Sequence, residues 1–178
     1  MKHIGRVLAF LAATMLMPLC ISAQTIQPQV VPQLEFVMQL RVTIGQAYSV
    51  GETAHGRRVV IPITGGAFEG PRLRGSVVSG GADYQLVRQD MQRTELEAIY
   101  DIRTDDGTHI HVRNRGLISD GGSYFRTAPH FETDAKGPYA WLNNAIFVCA
   151  PDFSTPFSAT PEGKDGSNGV ILNVWMVK

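Results

Sequence analysis

From Leu34 onward the hydrophobic character of this chain alternates with a period of two. Phe36, Met38, Leu40, Val42 and Ile44 interleave with Glu35, Gln39 and Arg41, the pattern of a strand with one face buried. The pattern returns at Leu96, Ala98, Tyr100 and Ile102, with Glu95, Glu97, Asp101 and Arg103 on the opposite parity. No stretch beyond residue 23 keeps a 3.6-residue period for more than about two turns. Between the alternating runs lies turn chemistry: Gly51 to Gly56, a break near Met91-Gln92-Arg93, and Asp105-Asp106-Gly107, an Asp-Gly pair that accepts the positive backbone angles of a tight hairpin. Further strands are expected at Val59–Ile63, Ala82–Asp90, His109–Ile118, Ala145–Cys149 and Val170–Val177. Gly65, Gly66, Gly70, Gly75, Gly80 and Gly81 crowd one block. It contains no G-x-x-x-x-G-K-[ST] phosphate loop, so the glycines read as bends and bulges that let a sheet curl. The expectation is an all-β fold, a small antiparallel β-barrel of about eight to ten strands, because closure removes exposed edges.

The chain has 178 residues, enough for one domain. Lys2 and Arg6, the apolar run Val7–Leu19 and the small residues Ile21-Ser22-Ala23 read as a secretory signal peptide cut after Ala23. The apolar run is too short for a transmembrane helix, which takes about 20 residues. This predicts a signal at 1–23, a flexible leader at 24–33, a single barrel domain at 34–178, and a secreted or periplasmic location. Without Lys2 and Arg6 the mature chain carries 14 basic and 16 acidic residues, a formal charge of −2. That balance excludes nucleic acid as an expected partner, and no integral membrane segment remains. A small-molecule ligand or substrate is expected, and a homo-oligomer is compatible with the sequence. Cys149 is the one cysteine left after cleavage; it sits in an apolar run and reads as a buried, inert thiol.

Polar chemistry concentrates in Tyr124–Asn144, where Arg126, His130 and Glu132 are interleaved with Phe125, Phe131, Tyr139, Trp141 and Leu142. Burying such polar groups unpaired costs several kcal/mol, on the order of 2–7 each, so the segment is expected to wall a pocket. Arg126, His130 and Glu132 share parity and face one side of an extended segment. Arg126 would hold developing negative charge, and Glu132 would move a proton; an internal ion pair is the other reading. Asp83 and Tyr84 follow Gly80-Gly81, and Asp101 lies on the next strand, so the two carboxylates could meet and one pKa rise. His109 and His111 have the spacing of a strand metal site, but Arg113 and Arg115 follow on the same face and would repel a cation; no metal is expected. No G-x-S-x-G accompanies the serines, and no cofactor is signalled.

The runs Gly65-Gly66-Ala67-Phe68-Glu69-Gly70-Pro71-Arg72-Leu73-Arg74-Gly75 and Gly80-Gly81-Ala82-Asp83-Tyr84, with Thr104–Gly107, Tyr124–Pro129, Phe131–Thr133 and Tyr139–Asn143, resemble the domain of unknown function 3237, also called uncharacterised protein family 0311. The resemblance runs from about residue 34 to the C-terminus. It implies a small antiparallel β-barrel without an established activity, in which Tyr84 stands where the family commonly carries Trp. It also implies that Asp83, Arg126, Glu132, Trp141 and Asn143 form one cluster. The functional expectation is a lyase, isomerase or hydratase acting on a small, partly aromatic molecule. Asp83, Arg126 and Glu132 would be catalytic, and Tyr84, Asp101, Trp141 and Asn143 would bind substrate. The alternative is a non-catalytic barrel holding a small hydrophobic ligand.

Overall fold

In a computed structural model, residues 30–159 and 168–178 are described; the expected signal peptide and most of the expected leader lie outside them. Ten strands follow in order: β1 (Leu34–Ile44), β2 (Tyr48–Thr53), β3 (Gly56–Glu69), β4 (Arg74–Val77), β5 (Ala82–Arg88), β6 (Arg93–Thr104), β7 (His109–Ser119), β8 (Tyr124–Glu132), β9 (Phe147–Pro151) and β10 (Gly169–Val177). Every pairing is antiparallel. The sheet runs β1-β10-β9-β8-β7-β6 and continues through β4 to β3. β3 then pairs back onto β1, closing an eight-stranded barrel with two further strands. β4 and β5 share one place in the wall, each lying between β3 and β6. β2 continues along β3 past the end of β1.

The closing seam depends on glycine. Gly66 lies opposite Val42 with a positive φ of 130°, and a Cβ there would strike the Arg41 carbonyl. Beside it the β1–β3 register shifts between Thr43 and Ile44. Such an irregularity bends the strand enough to bring the sheet round. A second irregularity corrects an expectation. The β1–β10 register shifts between Phe36 and Met38, so Phe36 does not share the inward face of Met38, Leu40 and Val42. It points outward, 41% exposed, with its ring edge against Trp175 at 6.3 Å. Period two is broken by one bulged residue, Val37.

The core fills one end of the barrel. Phe131 and Phe147 meet edge to face at 4.9 Å, and Ile102, Ile110 and Val112 are fully enclosed around them. The β8–β9 connection folds over that end as a short 3-10 turn, Ala140–Asn144, which buries Leu142. At the margin, Gln33 and Lys178 exchange backbone hydrogen bonds of 3.1 and 2.8 Å, so the last leader residue is tied to the C-terminal strand. No helix among the described residues is long and apolar enough to cross a membrane.

Candidate functional site

The other end of the barrel is not filled. A cavity of about 150 Å³ lies among the inward side chains of β1, β3, β5, β6, β7, β8 and β10. Val42, Ile63, Leu96, Phe125, Val170 and Leu172 supply apolar wall, and Asp83, Gln85, Tyr100, Asn114 and Thr127 also line it, the Tyr100 hydroxyl, Asn114 Oδ1 and Thr127 Oγ1 being enclosed within the wall. Register explains the gathering. Asp83 pairs with Ala98 and Ala98 with Asn114, so one transverse row crosses β5, β6 and β7. Adjacent strands lie about 4.8 Å apart, placing the Asp83 and Asn114 backbones about 10 Å apart, with only the Ala98 methyl between them. Tyr100 is opposite Val112, and Thr127 opposite Gly116 and Cys149. The three polar positions therefore step diagonally across β6, β7 and β8.

Asp83 is half-buried. Its carboxylate accepts a 2.8 Å hydrogen bond from Gln85 Nε2 and a 3.1 Å bond from the Glu97 backbone N–H. Nearby, the Tyr84 carbonyl accepts from the Arg58 guanidinium at 2.9 Å. Desolvation by burial raises the Asp83 pKa above the ordinary carboxylate value, and the Gln85 and Glu97 hydrogen bonds oppose that rise. A carboxyl in this setting holds a proton more readily than one in water.

Three neighbours are more deeply enclosed. Tyr100 is 4%, Asn114 4% and Thr127 7% exposed. The Tyr100 hydroxyl and Asn114 Oδ1 make no hydrogen bond of normal geometry, while the Thr127 hydroxyl lies against the Cys149 thiol on the neighbouring strand. Buried polar side chains are satisfied in the large majority of cases, so the Tyr100 hydroxyl and Asn114 Oδ1 stand out as exceptions on adjacent strands. Burial drives the Tyr100 pKa far up, with the Cys149 thiol and Asp83 adding to it, and the hydroxyl remains a neutral donor. Cys149, enclosed beside Thr127, is pushed up to about 11, chiefly by burial. Its thiol stays protonated.

The residues singled out from sequence are placed differently. Arg126, His130 and Glu132 do share a side, but it is the outer one: along β8 these positions are exposed while Thr127, Pro129 and Phe131 point inward. Arg126 reaches back to the Phe125 carbonyl at 2.7 Å and over the Tyr124 ring at 5.7 Å. His130 and Glu132 stand 3.7 Å apart in solvent. Asp101 has the opposite parity to the inward Tyr100, and so cannot meet Asp83. It pairs outside the barrel with His111, whose Nδ1 is 2.7 Å from Asp101 Oδ1. Tyr84 is exposed on the outer face of β5. Trp141 packs near Phe147 at the filled end, under the Arg72 guanidinium at 3.8 Å. Asn143 holds the turn there, accepting from Thr133 N–H at 2.9 Å and donating to its carbonyl at 3.0 Å. The expected convergence of Asp83, Arg126, Glu132, Trp141 and Asn143 therefore does not occur; the charged groups follow strand parity outward, and Asp83 alone faces the cavity. No group of three or more His, Cys, Asp or Glu side chains suited to a metal is present among the described residues.

Sequence reasoning passed over Tyr100, Asn114 and Thr127. The signal was there in muted form: each is a polar side chain on the apolar parity of its strand. Asn114 continues Ile110 and Val112, and Thr127 sits between Phe125 and Phe131.

Comparison with known proteins gives this barrel its relatives. A UPF0311 protein of Clostridium acetobutylicum is 36% identical over 132 residues, covering 65% of this chain and 82% of its own. A hydroalkoxylation enzyme of Penicillium herquei is 31% identical over 114 residues, covering 64% of this chain and 70% of its own. The crystal structure of a beta-barrel-like protein from Acinetobacter baumannii superposes with a TM-score of 0.69 at 28% identity, covering 85% of this chain and 99% of that one. The family model described as protein of unknown function (DUF3237) matches residues 32–177, and the chain belongs to that family.

Proposed function

We propose that this barrel catalyses addition or elimination at a carbon–carbon double bond of a small, partly aromatic molecule, with Asp83 as the group that moves the proton. The observation that carries this reading is a carboxyl of raised pKa facing an apolar cavity inside the barrel, since a general acid works best when its pKa approaches the operating pH. The Penicillium relative, named for hydroalkoxylation, supports the reaction class, because hydroalkoxylation adds an O–H across a C=C bond.

In this reading the protonated Asp83 gives its proton to one alkene carbon. An O–H oxygen, from the substrate's own alcohol or from water, bonds to the other carbon. The proton of that O–H returns to the Asp83 carboxylate. One C–O and one C–H bond form, the π bond and the O–H bond are lost, and Asp83 ends as it began. The reverse sequence is an elimination. Gln85 and the Glu97 N–H hold the carboxyl in place through both protonation states, and the apolar wall keeps bulk water from competing for the proton. By the same proposal the activity lies outside the cytoplasm, on the strength of the leader read at residues 1–23; a mature N-terminus at Gln24, found by mass spectrometry of the processed chain, checks it.

The test begins with a thermal-shift screen of residues 24–178 against phenols, enones and alkenols, each stabilising compound then being followed for product by mass spectrometry. A ligand at about 100 times its dissociation constant adds about 2.7 kcal/mol of stability. Asp83→Asn is expected to retain ligand binding and to lower turnover by about 10²–10⁴-fold, the usual contribution of a general acid or base. Stabilising compounds recovered unchanged, or turnover indifferent to Asp83→Asn, would overturn the reading.

A further inference from the structure

We propose that the part of the substrate seated in the cavity is bare hydrocarbon, no larger than a single six-carbon ring, and that oxygen atoms reach it only on the side held by Asp83 and Gln85. This rests on the reading of the cavity as the substrate site, and names the ligand class that fits it. The cavity surface is almost wholly apolar, with Leu96, Phe125 and Leu172 presenting hydrocarbon to it. The Tyr100 hydroxyl, Asn114 Oδ1 and Thr127 Oγ1 are enclosed in the wall behind that surface, out of a ligand's reach. A ligand oxygen or nitrogen placed against the wall would leave water and bond nothing, which is strongly unfavourable. Asp83 and Gln85 differ. Both are half-buried, and they bond to each other at 2.8 Å, so polar contact with a ligand is confined to their side.

Size gives the second limit. A volume of about 150 Å³ matches that of an apolar cavity that stays dry and takes up one benzene ring, so two fused rings exceed it. Close-packed interiors keep few voids larger than a water molecule. Here a small side chain helps to maintain one. Ala98, on the row between Asp83 and Asn114, presents a single methyl group to the cavity. A larger apolar residue at that position would fill the space. The cavity is therefore held open beside Asp83, where a hydrocarbon group can enter without displacing any side chain.

The test is equilibrium binding, by calorimetry and thermal shift, of benzene, pyrazine and naphthalene to the unmodified residues 24–178 and to the Ala98→Leu and Leu96→Ala variants. Pyrazine has the size and shape of benzene but carries nitrogens at opposite ends of the ring, so one of them faces hydrocarbon whichever way it enters. Benzene is expected to bind saturably and at least about tenfold more tightly than pyrazine, because a polar atom desolvated without a partner is penalised. Naphthalene should not bind the unmodified protein. Ala98→Leu should abolish benzene binding while still unfolding cooperatively, and Leu96→Ala, which enlarges the cavity, should admit naphthalene. No saturable benzene binding, pyrazine bound as tightly as benzene, naphthalene bound by the unmodified protein, or benzene binding unchanged in Ala98→Leu overturns the proposal. If Ala98→Leu does not fold, Leu96→Ala decides: naphthalene binding gained there supports the proposal, and none overturns it. The two readings fail separately. A benzene preference that responds to the variants, together with turnover indifferent to Asp83→Asn, removes the reaction and keeps the ligand class. Turnover dependent on Asp83, with pyrazine bound as tightly as benzene, does the reverse.

Discussion

The two ends of this barrel share most of their strands and treat polar groups in opposite ways. At the end closed by the 3-10 turn, every conspicuous polar group is paired. Asp106 accepts from Thr104, from the Thr108 N–H at 3.1 Å and from the Tyr139 hydroxyl at 3.0 Å. Asn143 clamps Thr133, and aromatic rings fill the interior. At the cavity end, apolar packing stops short, and Tyr100 and Asn114 keep polar atoms buried without partners. Each unmade buried hydrogen bond costs about 1–3 kcal/mol. The closed end is thus organised for stability, and the cavity end gives some of it up.

The sharpest way to break this comparison is to truncate both ends. Phe131→Ala, in the filled end, is expected to cost about 3–5 kcal/mol, and Leu96→Ala, already bordering a void, only about 2. Urea unfolding of both variants measures the difference, and equal losses would mean the cavity end is as tightly supported as the other. Asn114→Leu probes the orphans directly. Replacing an unsatisfied buried amide with hydrocarbon is expected to leave the ligand-free protein as stable as before, or more stable by up to about 1 kcal/mol. A loss above that range would show that Asn114 has a structural partner.

Acid should separate the two ends by sign. The Asp83 pKa is raised in the fold, so its contribution is greatest below the ordinary carboxylate range and is lost as pH rises through the raised value. The Asp106 pKa is held down to about 2, first by the Thr104 hydroxyl. Its contribution is present above the ordinary range and is lost as pH falls toward 2. Above about pH 4, past the ordinary carboxylate value, Asp83→Asn should therefore gain stability relative to the unmodified protein, and Asp106→Asn should lose it, both read from urea midpoints. Smallest of all should be the outer face of β8: Arg126→Ala and Glu132→Ala are expected to change stability by no more than about 0.5 kcal/mol, as exposed substitutions do. A larger loss from either would show that the outer surface of the barrel carries a network not apparent in its geometry.

Much of the wall was legible in advance because its signals are local. The Leu96–Ile102 alternation, the Asp106-Gly107 turn and the glycine block each announce a strand, a hairpin or a bend within a few residues, and β6, the β6–β7 turn and the bends along β3 follow from them. Phe36 escaped because one bulged residue reverses parity, and nothing in Phe36-Val37-Met38 declares a bulge. The candidate site escaped for a related reason. Arg126, His130 and Glu132 drew the eye by charge, yet in a barrel wall charge favours the outer parity, where water solvates it at no cost. The polar side chains inside are the weaker ones a barrel can enclose: Tyr100, Asn114, Thr127 and one half-buried aspartate.

What the sequence by itself determined, then, was the all-β barrel and the membership of Asp83 in its wall, because alternation, turn chemistry and glycine spacing act over a few residues. Only the tertiary structure decided which polar groups meet. Asp83, Tyr100, Asn114 and Thr127 come from four strands between Ala82 and Glu132, and they converge through inter-strand register and barrel closure. Those are relations between distant segments, set by packing of the whole wall, that no local stretch of residues encodes.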